Sequence, residues 1–557
     1  MFLRLGPRSF LRKMRSIMNQ LEACTFLEMP VEILILILRE LDYKMLLRCS
    51  MTCKRLRSLV NNVSELQYTV VLAAEGVLDE FPDAFGTDGR LQRLIDRRER
   101  WRVPDWENRR LLRLPLNSAT SFSDPSSHIT FTNGVFVNTS YNQQRFIAAI
   151  TVLFPPTPGS VALFSIHVND FSLPENTLLD NYLPPPFHDL NLDPVQQILV
   201  HPKLDLLVLL KISRQVPNQV SYDLHIRSLK SAARRAHPQC TYAVLHNTFE
   251  QSSGRLRPLV RGLEDRVALH VCHNGDGRIC VWNWVTGHKI VEVQDVFTSV
   301  CLYDFALISP DVLVAAVSSG SFNPDTRTPR SATIWVYDLK ILPHGFDDSS
   351  KPMVCPLILC FPTFRDGKVV IHSFKCISDH LSGHAQLDAR SWAMPRAVAF
   401  HLETSYGWTL LVVRADTFGS LLQASSQSQS MITLPWQKWG PANTRLFEPK
   451  TAYWGELGMM GNGRLVVEPH PSLLGDRPVE LLDFHVGRYK PQELVTKPST
   501  VRSDVFKHSV TTRLPYHVIP VYGVEWPAEF MLHEKYLIGC RYKHGPNPFA
   551  EVEILEL

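Results

Sequence analysis

The stretch "RVALHVCHNGDGRICVWNWVTGHKIVEV", Arg266 to Val293, constrains the fold of this 557-residue chain more than any other. Val267, Leu269 and Val271 alternate along it, "NGDG" (Asn274 to Gly277) supplies hairpin-turn residues, Ile279, Val281 and Asn283 alternate again, and "TGH" leads into Lys289 to Val293. Strand side chains point to opposite faces with period two, so this text predicts three antiparallel strands joined by tight turns. The frame recurs. "RFIAAITVLF" with "SVALFSIHVNDF", "QQILVHPKLDLLVLLKI" with "SYDLHIRSLKS", and "CLYDFALISPDVLVAAVSS" with "SATIWVYDL" share the layout, with Trp335 aligned to Trp282. The third-strand anchors fall near Ala162, Asp223, Ile279 and Thr333, a period of roughly 55 to 60 residues that marks a repeat architecture. "TLLVVRA" (Thr409 to Ala415), "VELLDFHV" (Val479 to Val486) and the C-terminal "AEVEILEL" extend the series.

Repetition of this kind predicts a mainly-β propeller over residues 120–557, with six to eight four-stranded blades and seven as the best count. The composition agrees: 39 prolines against 27 glycines fit many turns joining short elements, and 557 residues are too many for one ordinary core. The Arg266–Val293 unit resembles a WD-repeat blade. Trp282-Asn283 stands where Trp-Asp usually does, and Asp276, six residues before the tryptophan, holds the place of that family's turn aspartate.

A different rhythm rules residues 29–60. Ile33, Leu34, Ile37, Leu38 and Leu41 follow one helical face, with Pro30 able to take the first helical position. Asp42 and Tyr43 break that rhythm, Leu46 and Leu47 begin a second helix, and Cys53, Leu56 and Val60 mark a third before "NNVS" ends it. A plain helical hairpin of a larger α domain would show the same periodicity. In order, Met29-Pro30-x-Glu32-Ile33-Leu34, Ile37-Leu38-x-x-Leu41-Asp42, Leu46-Leu47-Arg48 and Cys53-Lys54-Arg55-Leu56-Arg57 closely resemble the F-box, with Met29 for the usual leucine and Leu56 for the frequent tryptophan. The resemblance implies docking onto the Skp-type adaptor of a cullin-RING ubiquitin ligase, with Met29, Pro30, Ile33, Leu34, Ile37, Leu38, Leu41, Leu46, Leu47, Cys53 and Leu56 as the adaptor-binding residues. An apolar docking face should stand exposed in the isolated chain, with Ile33, Leu34, Leu38 and Leu46 on it.

These readings divide the chain into a basic extension (1–26), an F-box of three helices (27–66), a helical connector (67–119) and the propeller (120–557), an α+β multidomain arrangement. Arg4, Arg8, Arg12, Lys13 and Arg15 give the extension the composition of a targeting presequence, but Gly6 and Pro7 interrupt its helix. In the connector, Leu91, Leu94 and Ile95 share one face while Arg93, Arg97, Arg98, Arg100 and Arg102 interleave with Asp96 and Glu99, the pattern of a solvated helix with local ion pairs. The order of F-box, apolar run and Arg/Trp-rich helix also resembles a large group of fungal F-box proteins. That family implies a substrate receptor whose propeller loops bind a target protein of unknown identity; a propeller scaffold without a ligase role is the alternative.

Chemistry has little to point to. His380 and His384 lack the glutamate of a helical zinc-protease motif, "NGDGR" lacks the carboxylates of a calcium loop, and no phosphate-binding glycine motif or nucleophile elbow is present. No catalytic residue, metal or cofactor is expected, and the chain is read as a non-enzyme. The 11 cysteines, scattered without paired spacing, fit a reducing compartment, so cytoplasm or nucleus is the expected location. A formal charge of +4 is too small to gather nucleic acid, and runs such as "FIAAITVLF" fall short of the ~20 apolar residues of a membrane span, so neither is an expected partner.

Overall fold

The computed structural model describes residues 26–75, 86–105 and 109–115 and, between 127 and 556, the strands and connections named below. Residues 1–25, Ala162, the Asn274–Gly275 turn, His380 and His384 lie outside the described residues. The chain divides into two compact units, 1–99 and 100–557.

The first unit is helical. Helices α1 (Val31–Arg39), α2 (Tyr43–Thr52) and α3 (Lys54–Asn62) are the three predicted ones. Helix α4 (Ser64–Glu75) crosses the expected 66/67 boundary and packs with them, and α5 (Thr87–Arg102) is the Arg-rich helix. Pro30 lies one residue before α1, where its carbonyl accepts the Leu34 N–H at 3.2 Å.

The second unit is built of successive antiparallel sheets, in the propeller manner. Sheet A holds Ser127–Thr132, Val135–Tyr141, Ile147–Leu153 and Leu163–His167; sheet B holds Val195–His201, Leu206–Val216, Gln219–Ser228 and Val244–Glu250. Sheet C contains Arg257–Leu263, Arg266–His273, Asp276–Asn283 and Lys289–Gln294, and sheet D contains Val300–Ser309, Val312–Ser319, Ser331–Asp338 and Leu357–Cys360. Sheet E contains Ile371–Ser378, Ala397–Thr404, Gly407–Arg414 and Thr444–Phe447, and sheet F contains Ala452–Tyr453, Arg464–Pro469, Val479–Asp483 and His517–Val521. Sheet G joins the two ends of the unit: Arg110–Pro115 pairs antiparallel with Phe549–Glu556, beside Tyr536–Lys543 and Glu529–Leu532. Each sheet's first strand lies near that of the next from B to E, and Glu529–Leu532 of sheet G lies near Ser127–Thr132 of sheet A.

Alternation in the repeats separates two cores rather than core from solvent. Val267, Leu269 and Trp282 pack between sheets B and C, whereas Ala268, Ile279 and Val281 face the core shared with sheet D. Trp335 also lies in the C/D core. Its expected equivalence to Trp282 is off by one pleat: Trp282 pairs with Val267, second in its strand, and the corresponding partner Leu313 pairs with Tyr337. Sheet A departs further, because "RFIAAITVLF" supplies its third strand, and "SVALFSIHVNDF" its fourth, where a third was expected. Helices Asp416–Ser425 and Trp436–Asn443 interrupt the last connection of sheet E and bury Phe418 and Trp439, an insertion no periodicity announced.

A backbone clasp repeats with the sheets. The residue after the third strand donates its N–H to the turn between the first two: Leu229 to Asp205 O (2.9 Å), Trp284 to Asp265 O (3.0 Å), Leu339 to Asp311 O (2.7 Å) and Phe484 to Gly463 O (2.9 Å). Leu229, Trp284 and Leu339 follow one another at 55-residue intervals. In sheet C the side chains reinforce the clasp, with Asn283 Nδ2 donating to Asp265 Oδ2 at 2.6 Å and Trp284 Nε1 to Glu264 O at 2.8 Å.

Two buried carboxylates tie elements together. Asp304 of sheet D accepts from Arg261 Nη2 of sheet C at 2.9 and 3.1 Å and from the Cys376 N–H of sheet E at 2.8 Å, so one side chain links three sheets. Removing one member of a buried pair leaves the other uncompensated. Asp304→Ala should therefore destabilise the second unit by about 3 to 5 kcal/mol, read by urea unfolding of the full chain. Asp483 of sheet F meets Arg464 Nε at 2.9 Å, Arg488 Nη1 at 3.1 Å and Tyr489 Oη at 2.9 Å. Burial alone would push its carboxyl up, but Arg464, Arg488 and His485 hold it at about 2, below its ordinary 3.8. Because the folded value is depressed, this stabilisation is present above about pH 4 and is lost as the pH falls through about 2. Unfolding measured between those values should show a loss of about 2 kcal/mol that Asp483→Asn abolishes.

Candidate functional site

The helical unit carries the candidate site, and its sequence explains why it has two apolar faces. Helix α1 reads "VEILILILR", apolar nearly all round, so only part of it can be satisfied by its own unit. Leu34 and Leu38 are fully buried; Ile33 and Leu36 lie on the opposite side and are exposed, Leu36 by 54%. Asp42 opens α2, its Oδ1 accepting the Met45 N–H at 2.8 Å, and thereby turns Leu46 inward. Cys53 ends α2 and caps α3, its Sγ accepting from Leu56 N at 3.5 Å. Leu38, Leu46, Leu56, Val60 and, from α4, Leu66 then close one small core, with Leu41, Cys49, Cys53 and Val70 packed against it.

Polar contacts fix the periphery. Arg55 donates to the carbonyls of Leu27 and, at 3.0 Å, Met29, which pins the short turn Phe26–Glu28. Arg57 Nε donates to Ser50 O at 3.2 Å, and Arg39 pairs with Glu65. Glu75, nearly fully buried, meets Arg98 at 2.6 Å, and the Arg90 guanidinium lies 4.8 Å from the Tyr68 ring centre, so two side-chain contacts tie α4 to α5.

The expected docking residues therefore separate. Leu34, Leu38, Leu46 and Leu56 are interior, so the expectation that Leu34, Leu38 and Leu46 stand exposed does not hold; Leu66 of α4 completes the core around Leu38 and Leu46. Met29, Ile37, Leu41 and Cys53 are half-buried. Pro30, Ile33 and Leu47 are exposed. Sequence reasoning missed Val31, Leu36, Met45 and Met51, all exposed, Met51 by 77%. The signal was present: Leu36 lies three residues from Ile33, and Met51 four from Leu47, so each pair shares a helix side.

Residues 26–72 match the F-box-like family, ending inside α4 rather than at the expected residue 66. No curated protein sequence matches the chain. Among solved structures, the chain is similar to the Dos1 propeller at 12% identity and a TM-score of 0.33, covering 79% of this chain and 80% of that one. It is also similar to the WD40 domain of Toxoplasma gondii coronin at 10% identity and a TM-score of 0.32, covering 82% of this chain and 88% of that one. The chain carries an F-box-like domain followed by a mainly-β region.

The two faces of α1 should respond differently to truncation. Leu38→Ala removes a core side chain and should cost about 2 to 5 kcal/mol, seen as faster hydrogen exchange across residues 26–75. Leu36→Ala should leave exchange unchanged, as surface truncations usually stay within about 0.5 kcal/mol.

Proposed function

We propose that this chain is the substrate-recognition subunit of an SCF-type ubiquitin ligase. Its helical unit docks onto a Skp-type adaptor, and through it onto a cullin-RING ligase, while the β unit binds a target protein. The observation that carries this reading is the F-box-like match over helices that bury one apolar face and leave Ile33, Leu36, Leu47 and Met51 uncovered. Such a face on a small helical unit is what a protein partner covers.

In this reading the chain makes and breaks no covalent bond, needs no cofactor, and works in cytoplasm or nucleus. It holds a target lysine near a ubiquitin-charged enzyme and so replaces a bimolecular encounter by one at high effective concentration. The β unit is read as a seven-bladed closed propeller, supported by the succession of sheets A to G and by the pairing of Arg110–Pro115 with Phe549–Glu556.

Co-purification tests the docking. The full chain should co-elute with a purified Skp-type adaptor, and should retain a cullin only when the adaptor is present. Ile33→Asp with Leu36→Asp should abolish co-elution while leaving thermal unfolding unchanged. A wild-type chain that ignores the adaptor would leave a propeller scaffold as the better account.

A further inference from the structure

Along α2 the uncovered apolar face is bordered by positive charge, whereas on α1 Glu32 and Glu40 stand four residues either side of Leu36. From Tyr43 to Ser64 the chain has Lys44, Arg48, Lys54, Arg55 and Arg57 and no acidic residue. Arg55 and Arg57 are engaged with carbonyls of their own unit. Lys44 and Arg48, four residues apart, share the outer side of α2 with Leu47 and Met51. Lys44 Nζ lies 5.8 Å from the Tyr43 ring centre and Arg48 Nη1 donates to Met45 Sδ at 3.7 Å. Among the described residues neither meets a carboxylate. The acids of this half of the unit, Glu28, Glu32, Glu40 and Asp42, all precede α2.

Covering Leu47 and Met51 brings a partner over Lys44 and Arg48 as well. Desolvating two cations without counter-charge is costly, and like charge placed opposite them is worse. From this charge pattern, and resting on the docking reading above, we infer that the partner's apolar groove is bordered by carboxylates opposite Lys44 and Arg48. These carboxylates steer the encounter. The apolar contacts of Ile33, Leu36, Leu47 and Met51 then govern how long the complex lasts, since charges at an interface rim act mainly on association and buried anchors on dissociation.

Association kinetics of the full chain with an immobilised, purified Skp-type adaptor separate the two roles. Between about 50 and about 500 mM NaCl the association rate should fall roughly tenfold while the dissociation rate changes less than about twofold. Lys44→Glu with Arg48→Glu should slow association about tenfold at low salt and converge with wild type at high salt. Leu36→Ala should instead speed dissociation. Lys44→Gln with Arg48→Gln should lie between, and circular dichroism should show both charge variants folded. Association that ignores salt and charge reversal would overturn this inference alone. No association of the wild type would overturn the docking reading and this inference with it. A stable dimer of the chain, lost on Lys44→Glu with Arg48→Glu, would show a second copy on this face and would likewise overturn it.

Discussion

Sheet G is made from strands 434 residues apart: Arg110 pairs with Ile554 and Pro115 with Phe549. Arg109 Nε meets Glu553 at 3.2 Å beside that seam, so the first strand of the β unit is matched to the last by register and by charge. Every other sheet takes its main strands from one local stretch of chain. Local meanders can form early, but the strand pairing in sheet G must wait for both ends, and contacts of such separation slow folding. The middle strands of sheets C to E, buried on both faces, leave each sheet dependent on its neighbours.

That dependence explains which polar groups are buried. Asp304 and Asp483 sit where sheets or connections converge, and each accepts several donors, which is the condition for an interior carboxylate. His270, buried on the second strand of sheet C, is the opposite case. Burial, helped by the nearby Arg261, lowers its pKa to about 3, so it sits as a neutral ring against Phe305.

Much of the fold was legible in the sequence, and the misses have physical causes. Alternation identified the strands around Arg266–Val293 because both faces of those strands are selected for apolar packing. The same property hid the register. With Trp335 and Tyr337 on one face, either aromatic fits the slot that Trp282 defines, and period two cannot choose between them. The helical segment was legible, but the facing of its apolar residues was read inside out in part. "ILILIL" is apolar on both sides of α1, and the packing of Leu38 with Leu46, Leu56, Val60 and, from α4, Leu66 decides that this side turns inward and Leu36 outward. The Trp436–Asn443 helix carries Pro441 inside it, a residue that argues against helix in any sequence pattern.

The clasp from the end of the third strand to the turn between the first two, made in sheets B, C, D and F, has a bearing on how such a chain can change length. The interval it spans is 24 residues from Asp205 to Leu229, 19 from Asp265 to Trp284 and 28 from Asp311 to Leu339. Between the second and third strands, sheet C has two residues and sheet D eleven. Insertions and deletions there alter the connecting segment without disturbing the hydrogen bond at the other end of the same strands. Each clasped repeat thus has one end held to a fixed outline and another open to drift, so descendants of this sequence can diversify the connections at one end of these sheets while the clasped end is kept.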